Sequence, residues 1–141
     1  VGRTVALAVE QGAGGANLED AAEGGLLPID EAADRIAAAR AAAPKGRFVL
    51  NARTDTYFGG ETGDVFGETV ERAARYVEAG ADCIFVPGVV DEETIRRLAA
   101  AIPASIAYNL FITRIKKQEL DLNNFSSDFL NLAKRNFFRG Q

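Results

Sequence analysis

The chain has 141 residues, 48% of them hydrophobic, and a formal net charge of −4. That length suits one domain with a moderate core. The acidic balance excludes general electrostatic attraction to nucleic acid or to an anionic membrane, and no apolar run is long enough to span a bilayer. There is no histidine, no methionine and a single cysteine, Cys83. Serine-type triads, most zinc sites and an intrachain disulfide are thereby excluded, so any catalysis rests on carboxylates, Arg, Lys, Tyr or a bound hard metal. A reducing cytoplasm fits this composition, and the missing methionine reads as a segment of a longer protein.

In chain order, Val1 to Gln11 places Val1, Val5, Ala8 and Val9 at helical spacing, and Gly12, Gly14 and Gly15 break the pattern. Ala16 to Asp20 reads as a short strand that carries two carboxylates, Glu19 and Asp20, into a loop over Ala21 to Ile29. Asp30 is the expected N-cap of a helix over Glu31 to Ala43, with Ile36 as its one large apolar contact and Pro44 as its stop. Phe48 to Ala52 reads as a buried strand that changes character at its end, where Asn51, Arg53 and Asp55 cluster.

Thr54 to Gly67, rich in glycine, is the expected long connection of the kind that covers active sites, or else a tolerated surface insertion. Glu68 to Ala79 is an amphipathic helix with Val70, Ala73, Ala74 and Val77 on its inward face. Asp82 to Pro87 is nearly continuous in apolar residues, as for a parallel strand covered on both faces, which makes Cys83 a core residue. Asp91 caps a helix over Glu92 to Ala101, with Ile95, Leu98 and Ile102 inward and Pro103 as its stop. Ser105 to Leu110 is the fourth expected strand, with Asn109 near its end.

Helix and strand thus alternate four times, the pattern of right-handed crossovers and a parallel sheet. The expected class is α/β: a partial TIM-type (β/α) barrel of about four βα units over residues 1–109. Residues 110–141 form a divergent tail, basic and rich in phenylalanine. A helix over Ser126 to Phe138 is expected there, with Phe129, Leu130, Leu132 and Ala133 inward.

In such architectures ligands bind at the carboxyl ends of the strands, where side chains converge on a common crevice. Arg53 at that place is a fork for a carboxylate or phosphate. Arg53 and Asp55 also fit an ordinary surface ion pair, and residue type alone does not separate the two readings. Glu19 is a chemically reasonable oxygen donor to Mg²⁺ or a carboxylate hydrogen-bonded at a strand end. Asp20 and Asp55 read as partners for Lys or Arg.

Three ordered stretches, Gly14 to Asp20, Leu50 to Tyr57 and Ala79 to Gly88, resemble consecutive signatures of the isocitrate lyase and phosphoenolpyruvate mutase family over residues 1–109. The resemblance implies a Mg²⁺-dependent lyase or mutase. Its small carboxylate or phosphonate substrate is a 2-oxo acid that passes through an enolate as a C–C or C–P bond is made or broken. It also implies residue roles: Glu19 as the acid that reaches the metal through water, Arg53 as the substrate-anion arginine and a catalytic residue with Glu19, and Asn51 and Asn109 as substrate-binding amides. The family's aspartate-rich metal motif, its cysteine and histidine loop, and the glutamate that some lyases place where Gly88 stands have no counterpart in this chain.

The alternative is a catalytically silent half-barrel that acts by self-association, because an open parallel sheet leaves edges unpaired and a homo-oligomer relieves them. A nucleic-acid or membrane role for the tail is set against the acidic balance of the rest.

Overall fold

The structure, a computed structural model, describes residues 1–58 and 63–137. Helix α1 (Gly2–Glu10) leads into strand β1 (Gly15–Glu19), a short hairpin of β2 (Ala21–Ala22) and β3 (Gly25–Leu26), and helix α2 (Ile29–Ala42). Strand β4 (Val49–Arg53), helix α3 (Val65–Glu78), strand β5 (Cys83–Phe85) and helix α4 (Glu92–Phe137) follow. The chain divides into two compact units, Val1–Ile106 and Ala107–Gln141. Among the described residues no helix is long and apolar enough to cross a membrane.

The strands β1, β4 and β5 form one parallel sheet in that spatial order, with α2 and α3 as the connections between neighbours. This is the expected α/β parallel architecture, with three parallel strands where four were anticipated. Alternation of side chains along each strand gives the sheet two unlike faces. Leu18, Leu50, Ala52 and Ile84 face the helices, where they pack with Ala32, Ala33, Ile36, Ala39, Tyr76 and Val5 in two apolar clusters. Phe48 and Leu50 are almost wholly buried there, each worth about 1.5–3 kcal/mol of transfer free energy.

Several expectations are corrected by this packing. Residues 105–110 are helical and belong to α4, and Pro103 lies inside that helix rather than ending it. A proline removes one helical hydrogen bond, but a lone strand would leave a whole row unpaired, and the outer edge of β5 has no strand beside it among the described residues. Ile95 and Leu130 are exposed, not inward, whereas Leu98 is buried. Asp30 sits in the first turn of α2, whose N-cap is Pro28, so it acts on the helix dipole and caps nothing. The loop expected over Ala21 to Ile29 contains the β2–β3 hairpin. Residues 59–62 of the expected long connection and Phe138 of the expected terminal helix lie outside the described residues.

At the opposite end of the sheet from the strand termini, Arg40 of α2 clasps three elements. Its Nε donates to the Gly80 carbonyl at 2.9 Å, and its Nη1 donates to the carbonyls of Ala43 and Phe48, both at 3.2 Å. Its Nη2 pairs with Asp82, whose carboxylate accepts from the Leu50 amide at 2.9 Å. Gly80 is required at this crossing: its φ is +107°, and a Cβ would fall 2.8 Å from Arg40 Cγ.

The Leu50 amide, and after it Arg40, hold the Asp82 carboxyl below its ordinary pKa. A pKa lowered on folding contributes stability that is complete above the unfolded value of about 4 and lost as pH falls through the folded value. The thermal midpoint of the wild type is therefore expected to drop as pH is lowered from about 5 to about 2. Asp82→Asn should start from a lower midpoint at neutral pH and show a smaller acid-induced drop, as followed by circular dichroism.

Candidate functional site

The second face of the sheet carries the polar residues. Parallel register sets Asn17 beside Asn51 and Asn51 beside Cys83, and one step further along it sets Glu19 beside Arg53 and Arg53 beside Phe85. Three of the expected site residues, Glu19, Asn51 and Arg53, therefore occupy two adjacent rows at the carboxyl ends of the strands. Asn51 Nδ2 donates to Asn17 Oδ1 at 2.8 Å, which orients the amide pair across the strands. Cys83, expected in the core, is exposed on this face, because β5 is covered on its helix side only at Ile84.

Arg53 is held from two sides. Its Nε and Nη2 donate to Asp55 Oδ1 and Oδ2 at 2.6 and 3.2 Å, a fork matched to a carboxylate, and its Nη1 donates to Glu19 Oε1 at 3.1 Å. The Phe58 ring lies 5.7 Å from the guanidinium carbon. The Asp55 hydrogen bond is the main reason that the Arg53 guanidinium binds its proton more tightly than usual. A guanidinium has five N–H donors, so these contacts leave two for a ligand. The ion-pair reading of Arg53 and Asp55 is thus realised, at a strand end where Arg53 keeps two donors.

Behind this surface lies a buried group that sequence reading placed only as a salt-bridge partner. Asp20 is 2% exposed. Its Oδ1 accepts from the Asp55 amide at 2.9 Å, and its Oδ2 accepts from Tyr76 Oη at 2.6 Å and Arg72 Nη1 at 3.3 Å. Arg72 also donates to the Leu27 carbonyl at 2.9 Å and to Glu68 Oε1 at 2.8 Å. Burial, then the Asp20 contact, push the Tyr76 hydroxyl pKa well up. For Arg72, burial lowers the pKa, but hydrogen bonds with Tyr76 and Glu68 outweigh it and the net direction is up. Of the expected inward face of α3, Ala73 and Ala74 are buried and Val70 and Val77 half-buried, while Thr69, Arg72 and Tyr76 are buried as well. The signal was an Arg and a Tyr at i, i+4 flanking Ala73 and Ala74.

A pocket of about 130 Å³ opens beside these groups, and Leu18, Glu19, Asp20, Arg35, Arg53 and Tyr76 help to line it. Asn109 is not at a strand end; it falls within α4, in the second unit. Among the described residues no group of three or more His, Cys, Asp or Glu could hold a metal. Asp20 and Asp55 are committed to internal donors, which leaves Glu19, about half exposed, as the acid open to a cation.

Over residues 1–127 the sequence matches the family described as phosphoenolpyruvate phosphomutase. The chain belongs to that family. The match runs past Asn109, where the resemblance was expected to stop. A Burkholderia cenocepacia J2315 protein provisionally classed as a phosphonomutase is 44% identical with a TM-score of 0.66, over 71% of this chain and 44% of that one. The 2-methylisocitrate lyase of Escherichia coli (strain K12) is 31% identical over 119 residues, 78% of this chain and 39% of the lyase. Phosphonopyruvate hydrolase, solved in complex with oxalate and Mg²⁺, shares the fold: its TM-score is 0.53 at 21% identity, over 98% of this chain and 68% of that one. The chain spans between 26% and 39% of the length of the curated relatives it matches.

Within this family's fold, the loop after β5 bears directly on the site. Gly88 has a φ of +81°, and a Cβ there would meet the Phe58 ring and the Tyr57 carbonyl at 3.5 Å. The contact is ordinary, but the backbone conformation is one that side chains resist, and the ring it touches is the one beside Arg53. Gly88→Ala is expected to cost about 1 kcal/mol of stability, read as a lower urea midpoint at unchanged slope.

Proposed function

We propose that the chain carries the anion-binding part of a 2-oxo-acid site, from an enzyme of the lyase and mutase type that works through an enolate. Arg53 holds a substrate carboxylate or phosphonate with its two remaining N–H donors, and Asn51, fixed by Asn17, offers an amide to the same ligand. The observation that carries this reading is the in-register placement of Glu19 beside Arg53 at the carboxyl ends of parallel strands. The family includes lyases, mutases and hydrolases that act on oxo-acid substrates, and Arg53 with Glu19 is the pair of groups that fits such a ligand here.

Charge decides what must accompany the anion. Glu19 and Asp55 together outweigh Arg53, so an anion approaching alone meets a site that is already net negative. A Mg²⁺ ion would balance that charge, with Glu19 as the residue to reach it through water and the ligand's own oxygens as further donors. When bound, such an ion supplies stabilisation of a developing enolate oxygen. The residues present fit it only in part, since one half-exposed carboxylate that also pairs with Arg53 is not a metal site, and weak or no turnover by the chain itself follows. What the chain's own residues do is bind and orient. Were Glu19 drawn toward a cation, one N–H of Arg53 would be freed for the anion, which would couple the two binding events.

Calorimetry with oxalate, with and without Mg²⁺, tests this reading. Binding is expected only with Mg²⁺, and Arg53→Ala should weaken it at least about tenfold. Absence of binding under both conditions would overturn it.

The open face also favours a second reading, a silent half-barrel that pairs with a copy of itself. Val49 and Phe85 are exposed on that face, and both outer strands have a free edge among the described residues. Sedimentation separates the two: a stable dimer at micromolar concentration is the expected result of pairing, and a compact monomer excludes it.

A further inference from the structure

Asp20 has an unusual position for a carboxylate. It is the residue that follows Glu19, and the alternation that turns Glu19 to the open face turns Asp20 to the helix side, where it is buried. It touches the segment bearing Arg53 twice: its amide donates to the Arg53 carbonyl at 3.2 Å, and its Oδ1 receives the Asp55 amide at 2.9 Å. Those two contacts bracket Thr54, the point at which the chain leaves β4. Asp55 is the residue whose carboxylate grips the Arg53 guanidinium.

Energetics argue that this arrangement is not there for stability alone. A buried carboxylate paired with a buried guanidinium repays its desolvation poorly, and apolar residues of similar volume often do as well or better. What a fully satisfied polar cluster supplies is a single geometry. Here the cluster reaches three elements. Tyr76 and Arg72 fix the Asp20 carboxylate from α3, and Arg72 ties the same point to the Leu27 carbonyl after the β2–β3 hairpin.

We infer that Asp20, Arg72 and Tyr76 are positioning residues, a buried relay that sets the Asp55 main chain and, through the Asp55 carboxylate, the orientation in which Arg53 meets an anion. The relay acts through Arg53 and touches no ligand itself. Its part in ligand binding rests on the function proposed above, but its effect on Arg53 does not.

The experiment therefore reads Arg53 directly. In the full chain, ¹⁵N NMR follows the exchange of the Arg53 Nε–H with water, alongside the thermal midpoint and the affinity for oxalate in Mg²⁺. Tyr76→Phe removes one donor to Asp20 while keeping the ring in the core. Val5→Ala, in the other apolar cluster, lowers stability without touching the relay. Tyr76→Phe is expected to speed Arg53 Nε–H exchange roughly tenfold, while Val5→Ala leaves it within about twofold. Arg72→Lys, which keeps the charge but loses the fork, should fall between wild type and Tyr76→Phe. If Tyr76→Phe and Val5→Ala change the exchange equally, or neither changes it, the relay is merely structural and the inference is overturned. If Tyr76→Phe speeds exchange while no variant, nor the wild type, binds oxalate, the relay stands and the functional reading fails. If oxalate binds the wild type and Tyr76→Phe alike with exchange unchanged, the functional reading stands and the relay fails.

Discussion

A carboxylate taken out of water must be given donors, and the need to satisfy Asp20 organises the carboxyl end of this sheet. An unpaired buried carboxylate costs several kcal/mol, so each of its oxygens draws a partner from another part of the chain. One partner is the Asp55 main chain and the others are Arg72 and Tyr76 of α3. Three segments that are distant in sequence are thereby brought to one point. Directly across the strand, on the face that remains open, Glu19, Arg53 and Asp55 form their own linked set. The two sets share a backbone, so the geometry of the outer one inherits the constraints of the inner.

The opposite end of the sheet is built differently. Arg40 satisfies three carbonyls and one carboxylate, which lie just past the ends of α2 and α3 or just before β4 and β5. Four of its five N–H donors are taken there. This division, with more donors committed at one end and more spare at the other, follows the general pattern of parallel α/β architectures, where stability and function occupy opposite ends of the strands. The open polar face adds a second asymmetry. A sheet covered on one side by α2 and α3 presents Asn17, Asn51, Cys83, Glu19, Arg53 and Phe85 on the other, a mixture of groups suited to a ligand or a partner and poorly suited to bulk solvent.

The relatives of this chain carry out cleavage, mutation and hydrolysis on a common fold, and the chain spans less than half of each curated one. What they share with it is a scaffold that aligns strand ends. Which reaction follows depends on groups added to that scaffold, so the family is better defined by this chain than any single activity is.

Much of the scaffold was written in the sequence, since apolar periodicity, glycine stops and motif order mark α1, β1, α2, β4, α3 and β5 within a few residues. The strand-end positions of Glu19 and Arg53 were legible for the same reason, as they end strands whose periodicity is clear. Ala73 and Ala74 were legible on the buried face of α3, but Arg72 beside them was not, because its burial becomes tolerable only when a distant carboxylate waits for it. Cys83 reads as core in an apolar run, yet whether a strand is covered on one face or two is settled by what packs on it. Ser105 to Leu110 has strand-like composition, yet it lies within helix α4. Local periodicity thus determined which segments are helix and strand and where polar residues end them. Tertiary structure alone decided which charges pair across the fold, because pairing depends on distance in space, and Arg72 and Tyr76 stand more than fifty positions from the Asp20 they meet.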